Sequence, residues 1–131
     1  SQLRKKLKIF QVDFAKKMVE LKGGCILDGR DIGTSIIPDA EIKFFIVASI
    51  KTRVKRRIKE FKFDKLPKNK QETIYKDIFK KIKLRDENDY NRDISPLKMA
   101  IDAIKIDTSQ MTPLEVEMEA IKHIYEKNIK K

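Results

Sequence analysis

With 131 residues, 40% of them apolar and 39% charged, the chain is neither disordered nor membrane-spanning by composition, and it is long enough for one domain with a buried core. No apolar run approaches the ~20 residues that cross a bilayer, and the first ten residues are basic and amphipathic rather than leader-like, so a cytoplasmic setting is the expectation. The net charge of +11 suits a phosphate-bearing ligand, from a nucleotide to a nucleic acid, without choosing between them.

The elements follow in chain order. Leu3, Leu7, Phe10, Phe14, Met18 and Leu21 recur at spacings of three and four, which predicts a helix with one apolar face. Gly23-Gly24 ends it. The apolar run Cys25 to Leu27 then predicts a buried strand, with Cys25 as a small core residue, closed by the polar loop Asp28-Gly29-Arg30-Asp31. After the Pro38-Asp39 turn, Ile42 to Ala48 is rich in β-branched and aromatic residues and predicts a strand covered on both faces, the mark of a parallel sheet. Ser49 can cap a helix over about Lys51 to Glu60. Phe61 to Gln71, polar and basic with Pro67, reads as a loop or lid. Ile74, Ile78 and Ile82 predict a further helix toward Asn88, and Ser95-Pro96 marks a turn. Ala103 to Ile106 is a short strand. Thr112-Pro113-Leu114-Glu115 is a capping box with proline at the first helical position, and Val116, Ala120, Ile121 and Ile124 supply that helix's inner face. Strands separated by helices imply an α/β fold with a mainly parallel sheet, in one domain over residues 1–131.

Cys25 and His123 are the only cysteine and histidine, so neither an internal disulfide nor a zinc ligand set is available, and no metal site is expected from these residues. Chemistry is concentrated instead in three arginine clusters. Asp28, Arg30 and Asp31 follow the first expected strand, where open α/β sheets bind ligands; an arginine there can fork onto a phosphate, although the tetrapeptide alone is equally a surface turn. Arg85, Asp89 and Arg92 share one helix face, which suits phosphate and ribose contacts or, read alone, intrahelical ion pairs. Arg53, Arg56 and Arg57 open the lid, with Arg53 and Arg57 four apart; a solvated basic face is the alternative. The lysine runs read as plain surface.

In order, Asp28-Gly29-Arg30-Asp31-Ile32-Gly33-Thr34, Pro38-Asp39-Ala40, Ala48-Ser49, Arg53 with Arg56-Arg57, Arg85-Asp86, Asn91-Arg92, Ser95-Pro96-Leu97 and Ala103 through Ile106-Asp107-Thr108 closely resemble the bacterial cytidylate kinases. Leu3-Arg4, Phe10-Gln11 and Asp13-Phe14-Ala15 extend the resemblance to the first helix. It implies a P-loop nucleoside monophosphate kinase fold and transfer of the ATP γ-phosphoryl group, with Mg²⁺, to CMP or dCMP. It also implies roles: Arg4 and Asp31 toward the cytosine base, Arg30 on the CMP phosphate, Arg85 and Asp89 at the sugar and phosphate, and Arg92 between donor and acceptor phosphates. Arg53 and Arg57 would close over ATP, Asp107 and Thr108 would line the adenine pocket, and Asp28 would sit near the metal-bound nucleotide. An ionised Asp31 only accepts hydrogen bonds, so it favours the exocyclic amino group of cytosine over the carbonyl of uracil.

The sequence departs from the family in one respect. It contains no Gly-x-x-x-x-Gly-Lys-Ser/Thr string, the loop that cradles ATP phosphates near the family's N-terminus. The expectation is therefore a kinase fold incomplete at its N-terminus, inactive by itself, and prone to self-association through an exposed sheet edge. Two competing readings are a kinase for UMP or AMP and a noncatalytic basic nucleic-acid-binding piece; no nucleic-acid module signature accompanies the charge.

Overall fold

A computed structural model describes residues 2–60, 66–93 and 95–129, with side chains through Lys127. The first periodic segment forms helix α1, Gln2–Lys22. Gly23 stops it at φ 77°, a left-handed conformation that glycine adopts without steric cost, and its N–H returns to Val19 O at 2.9 Å. The apolar face of α1 is largely uncovered: Leu3, Leu7, Phe10, Phe14 and Leu21 are all exposed, and only Ala15 is buried. Among the other elements, the helix meets the short turn Ile32–Ile36.

Cys25 to Leu27 corrects the expected buried strand. The segment is irregular, Cys25 is exposed and Ile26 is 95% exposed. A strand needs a neighbour for its ladder, and no described residue pairs with these three. The chain next tightens into a wide π-type turn over Ile32–Ile36, in which the N–H groups of Ser35 and Ile36 donate to Asp31 O at 2.8 and 3.2 Å. A Cβ at Gly29 would lie 2.9 Å from Ile32 Cγ1, so a larger residue there would force the Ile32 side chain to shift.

Strand β1, Phe44–Val47, pairs in parallel with β2, Ile104–Asp107, in the register Phe44–Ile104 through Val47–Asp107. These are the only strands among the described residues. β1 is shorter than expected and is not covered on both faces, since Ile46 is 53% exposed. Asp107 belongs to the end of β2 rather than to the loop beyond it.

Ser49 caps α2, Ile50–Lys59, accepting from Thr52 N–H at 3.1 Å. Residues 61–65 of the expected lid lie outside the described residues. Its remainder is mostly helical: Pro67 precedes α3, Lys68–Asn91, which starts earlier and runs longer than its isoleucine spacing suggested. α3 packs on α2. The capping box opens α4, Pro113–Ile129, in both directions: Thr112 N–H donates to Glu115 Oε2 at 2.7 Å, and Glu115 N–H to Thr112 Oγ1 at 3.3 Å. His123 of α4 lies over Phe44 of β1, ring centres 6.3 Å apart. Half-buried Val116 and Ala120 fit the expected inner face, whereas Ile121 and Ile124 remain exposed.

The small core gathers around the C-terminal ends of the strands. Val54 of α2 is fully buried, and Ile106 and Thr108 nearly so. Arg56 clips α2 to this end of the sheet, donating to Thr108 Oγ1 at 3.0 Å, Thr108 O at 2.6 Å and Met111 O at 3.3 Å. Thr108 in turn donates its hydroxyl hydrogen to Val47 O at 3.1 Å.

Candidate functional site

Three separate stretches deliver charge to one place. Arg30 comes from the loop before the π-type turn, Asp31 from the turn's entrance, Arg53 from α2, and Arg85, Asp86, Asp89 and Arg92 from the last turns of α3. α3 is the frame. Residues 85 and 89 lie four apart, and 86, 89 and the C-cap Arg92 three apart, so their side chains project from one side of the helix end.

Asp89 accepts a hydrogen bond from Arg30 Nη1 across 59 residues of sequence. Its other oxygen stands 3.9 Å from Arg92 Nη1, and Arg92 Nη2 is 4.0 Å from Asp31. One turn earlier, Asp86 takes a two-point fork from Arg53, with Nη1 to Oδ1 at 2.8 Å and Nη2 to Oδ2. Arg85 is exposed at the edge of the cluster, close enough to act on both Arg30 and Asp86.

The electrostatics match this crowding. Burial, then the repulsion of Arg85, Arg92 and Arg53, push the Arg30 pKa below the ordinary arginine value against the opposing pull of Asp86. The hydrogen bond from Arg53 holds the Asp86 carboxyl below the usual carboxylate range, aided by the Arg53, Arg30 and Arg85 charges. That same bond raises Arg53. Four guanidiniums face three carboxylates, so the cluster keeps an excess of positive charge. Two buried side-chain nitrogens among the described residues have no hydrogen-bond partner, and both belong here: Arg53 Nε and Arg92 Nη2.

Backbone geometry fixes the far wall. The chain leaves α3 at Arg92 and reverses through Ser95, whose φ of 52° is left-handed. That conformation disfavours a non-glycine residue by roughly 1 kcal/mol. Two bonds hold it: Arg92 Nε donates to Ser95 O, and Leu97 N–H donates to Asp89 O at 2.7 Å. The reversal that ends α3 thus also aims Arg92.

Of the residues singled out from sequence, Arg30, Asp31, Arg53, Arg85, Asp89 and Arg92 come together. Arg57 lies on the exposed side of α2 with Glu60, and Arg4 is exposed near the start of α1. Asp107 is tied by Ser109, which donates from its N–H at 2.9 Å and its hydroxyl at 2.6 Å. Thr108 is 3% exposed, its hydroxyl committed inside the fold. Asp28 is exposed. Sequence reasoning gave no role to Asp86 and did not separate Arg56 from its basic neighbours. Their partners lie 33 and 52 residues away, a distance at which spacing carries no signal.

The family model for cytidylate kinase matches residues 1–126. The chain belongs to the cytidylate kinase family. It is 41% identical over 107 residues to a cytidylate kinase of Bacillus velezensis, covering 82% of this chain and 46% of the relative. The cytidylate kinase of Lactobacillus gasseri is 46% identical over 107 residues, 77% of this chain and 44% of its own length. That of Caldicellulosiruptor saccharolyticus is 40% identical over 124 residues, 95% of this chain and 50% of its own length. The chain therefore spans about half the length of the curated relatives it matches. Its α/β architecture, a parallel strand pair flanked by helices, is consistent with the P-loop nucleoside monophosphate kinase fold of the family. No helix among the described residues is long and apolar enough to cross a membrane.

Proposed function

We propose that this chain supplies the acceptor-binding half of an enzyme that transfers the γ-phosphoryl group of ATP to CMP or dCMP. The observation that carries the reading is the convergence of Arg30, Arg53, Arg85 and Arg92 around Asp31, Asp86 and Asp89 in a cytidylate kinase chain. Phosphoryl transfer asks little covalent chemistry of the protein. It asks for positioning and for positive charge around the equatorial oxygens, which planar two-point guanidiniums provide well.

In this reading Arg30 and Arg85 hold the CMP phosphate, and Asp89, released from Arg30 by that phosphate, accepts from a ribose hydroxyl. Asp31 and Arg4 read the cytosine edge. Arg92, between Asp31 and Asp89, meets the oxygens passed from donor to acceptor, and Arg53 and Arg57 act from the α2 side. The Asp107–Thr108 segment contributes to the adenine wall through its place there, since the Thr108 hydroxyl is used internally. The acceptor is already a phosphate, so no strong general base is needed. Among the described residues no group of three His, Cys, Asp or Glu side chains could hold a metal ion.

Calorimetric titration of the chain with CMP, dCMP and UMP tests the reading. CMP or dCMP is expected to bind and UMP to bind far more weakly, with Arg30→Met abolishing the difference from buffer. No CMP binding, or equal binding of UMP, overturns it. The chain has no phosphate loop of the Gly-x-x-x-x-Gly-Lys-Ser/Thr kind, so a coupled assay with ATP, Mg²⁺ and CMP is expected to give no turnover from these 131 residues. Self-association is part of the proposal, supported by exposed Leu3, Leu7 and Phe10 on α1; a monomer in light scattering refutes that part.

A further inference from the structure

Resting on the reading above, we infer that Lys43 is a positioning residue for base recognition: its side chain ties the loop that carries Arg30 and Asp31 to the strand pair, so that both reach the nucleotide from a fixed place. Lys43 stands one residue before β1, and its own carbonyl accepts from Ile104 N–H at 2.8 Å, so the sheet holds its backbone. A Cβ added to Gly33, the second residue of the π-type turn, would lie 3.3 Å from Lys43 Cδ and 3.4 Å from its Cγ, so the turn's backbone rests on the lysine stem. Beyond that contact the ammonium donates to Pro38 O, further along the same loop, and to Asp102 Oδ1 and Oδ2 at 2.9 and 2.7 Å.

This lysine is not a solvated one. Its side chain is 8% exposed, and lysine is seldom buried unless its charge is matched. An ammonium has three donors, and here three oxygens from two distant segments accept from it. The strands do not depend on that tie, because β1 and β2 are already joined by their own ladder. The loop has more need of it. Its backbone bonds are local: Ser35 and Ile36 N–H return to Asp31 O, and Ala40 N–H to Ile37 O at 3.2 Å. Such bonds set the shape of a turn without setting where it lies on the sheet. Lys43 supplies the second constraint, at Gly33 by contact and at Pro38 by a hydrogen bond. Asp31 opens this turn and Arg30 precedes it, and they face Arg92 and Asp89 of the α3 end. A turn released from Lys43 would carry both away from those partners.

The test compares CMP with UMP in calorimetric titrations of the unmodified chain and two variants. Lys43→Met keeps the stem and deletes the ammonium; Lys105→Met removes the same charge from an exposed position on β2. Lys43→Met is expected to weaken CMP binding about tenfold, the order of one lost hydrogen bond. UMP gains nothing from Asp31 in this reading, so it is expected to lose only about threefold, and the preference for CMP shrinks by about the same factor. Lys105→Met is expected to leave both affinities within about twofold. A merely structural role for Lys43 would lower the urea midpoint and leave the CMP-to-UMP ratio of the folded protein unchanged. That outcome overturns the inference, and so does an equal change of ratio in Lys105→Met. Should Lys43→Met fold poorly, Asp102→Asn decides, because the Asp102 side chain is 56% exposed and its loss leaves the lysine stem in place: a reduced CMP-to-UMP ratio supports the inference and an unchanged one refutes it. Absence of CMP binding by the unmodified chain sinks the reading of the previous section and this one together, whereas CMP binding with an unaltered ratio in the variants sinks this one alone.

Discussion

Asp89→Asn removes one charge and almost no volume, which makes it a clean probe of the cluster. Asp89 bonds Arg30 and stands 3.9 Å from Arg92, with 17% of its side chain exposed. At that separation a unit charge pair near a protein surface is worth about 4 kcal/mol gross. Arg30 is 36% exposed, and the carboxylate must also give up its own hydration, so most of this is cancelled. The net expectation is a loss of about 1–2 kcal/mol in urea unfolding, with an unchanged slope. A double-mutant cycle with Arg30→Met should return about 1 kcal/mol of coupling. The same substitution should tighten binding of inorganic phosphate, because the anion no longer competes with a carboxylate for Arg30 and Arg92. No coupling between positions 30 and 89, or weaker phosphate binding in Asp89→Asn, would show that the ion pair does not organise the site.

Thr108→Val keeps shape but deletes the hydroxyl that joins Val47 O to Arg56; Val47 O still accepts from the residue 108 N–H, so losing the hydroxyl is expected to cost about 0.5–1.5 kcal/mol, and a urea midpoint equal to that of the unmodified chain would refute the role of this clip. Asp86 has a depressed pKa in the folded state, so its ion pair contributes stability fully above the unfolded carboxylate value of about 4 and loses it as pH falls through the lower folded value. Thermal midpoints should therefore decline in acid, and Asp86→Asn should flatten that decline; parallel profiles for the two proteins would contradict this.

Features with local causes were legible in the sequence. The Ser49 cap, the Thr112–Glu115 box with Pro113 and the stop at Gly23 depend on neighbours a few residues away, and each stands where its residues place it. The parallel pairing of β1 and β2 was implied by apolar runs separated by helices. Burial was less legible, because it depends on what covers a face. Cys25 to Leu27 carries the composition of a buried strand without a ladder partner among the described residues, and the apolar stripe of α1 is largely exposed. Within the site, arginine and aspartate positions were visible as residue types, whereas the pairing of Arg53 with Asp86 and of Arg56 with Thr108 is tertiary and leaves no periodic trace.

Sheet and site also share one topological event. The contacts Arg30–Asp89, Lys43–Asp102, Ser49–Ser109, Thr52–Ser109 and Thr108–Val47 all bridge sequence separations of 57 to 61 residues. Closing one of these overlapping loops brings the ends of the others nearer, so most of the entropic cost falls on the first. Strand pairing and assembly of the arginine cluster should therefore appear in the same kinetic phase, so a chain caught before loop closure has neither a sheet nor anywhere for a nucleotide to bind.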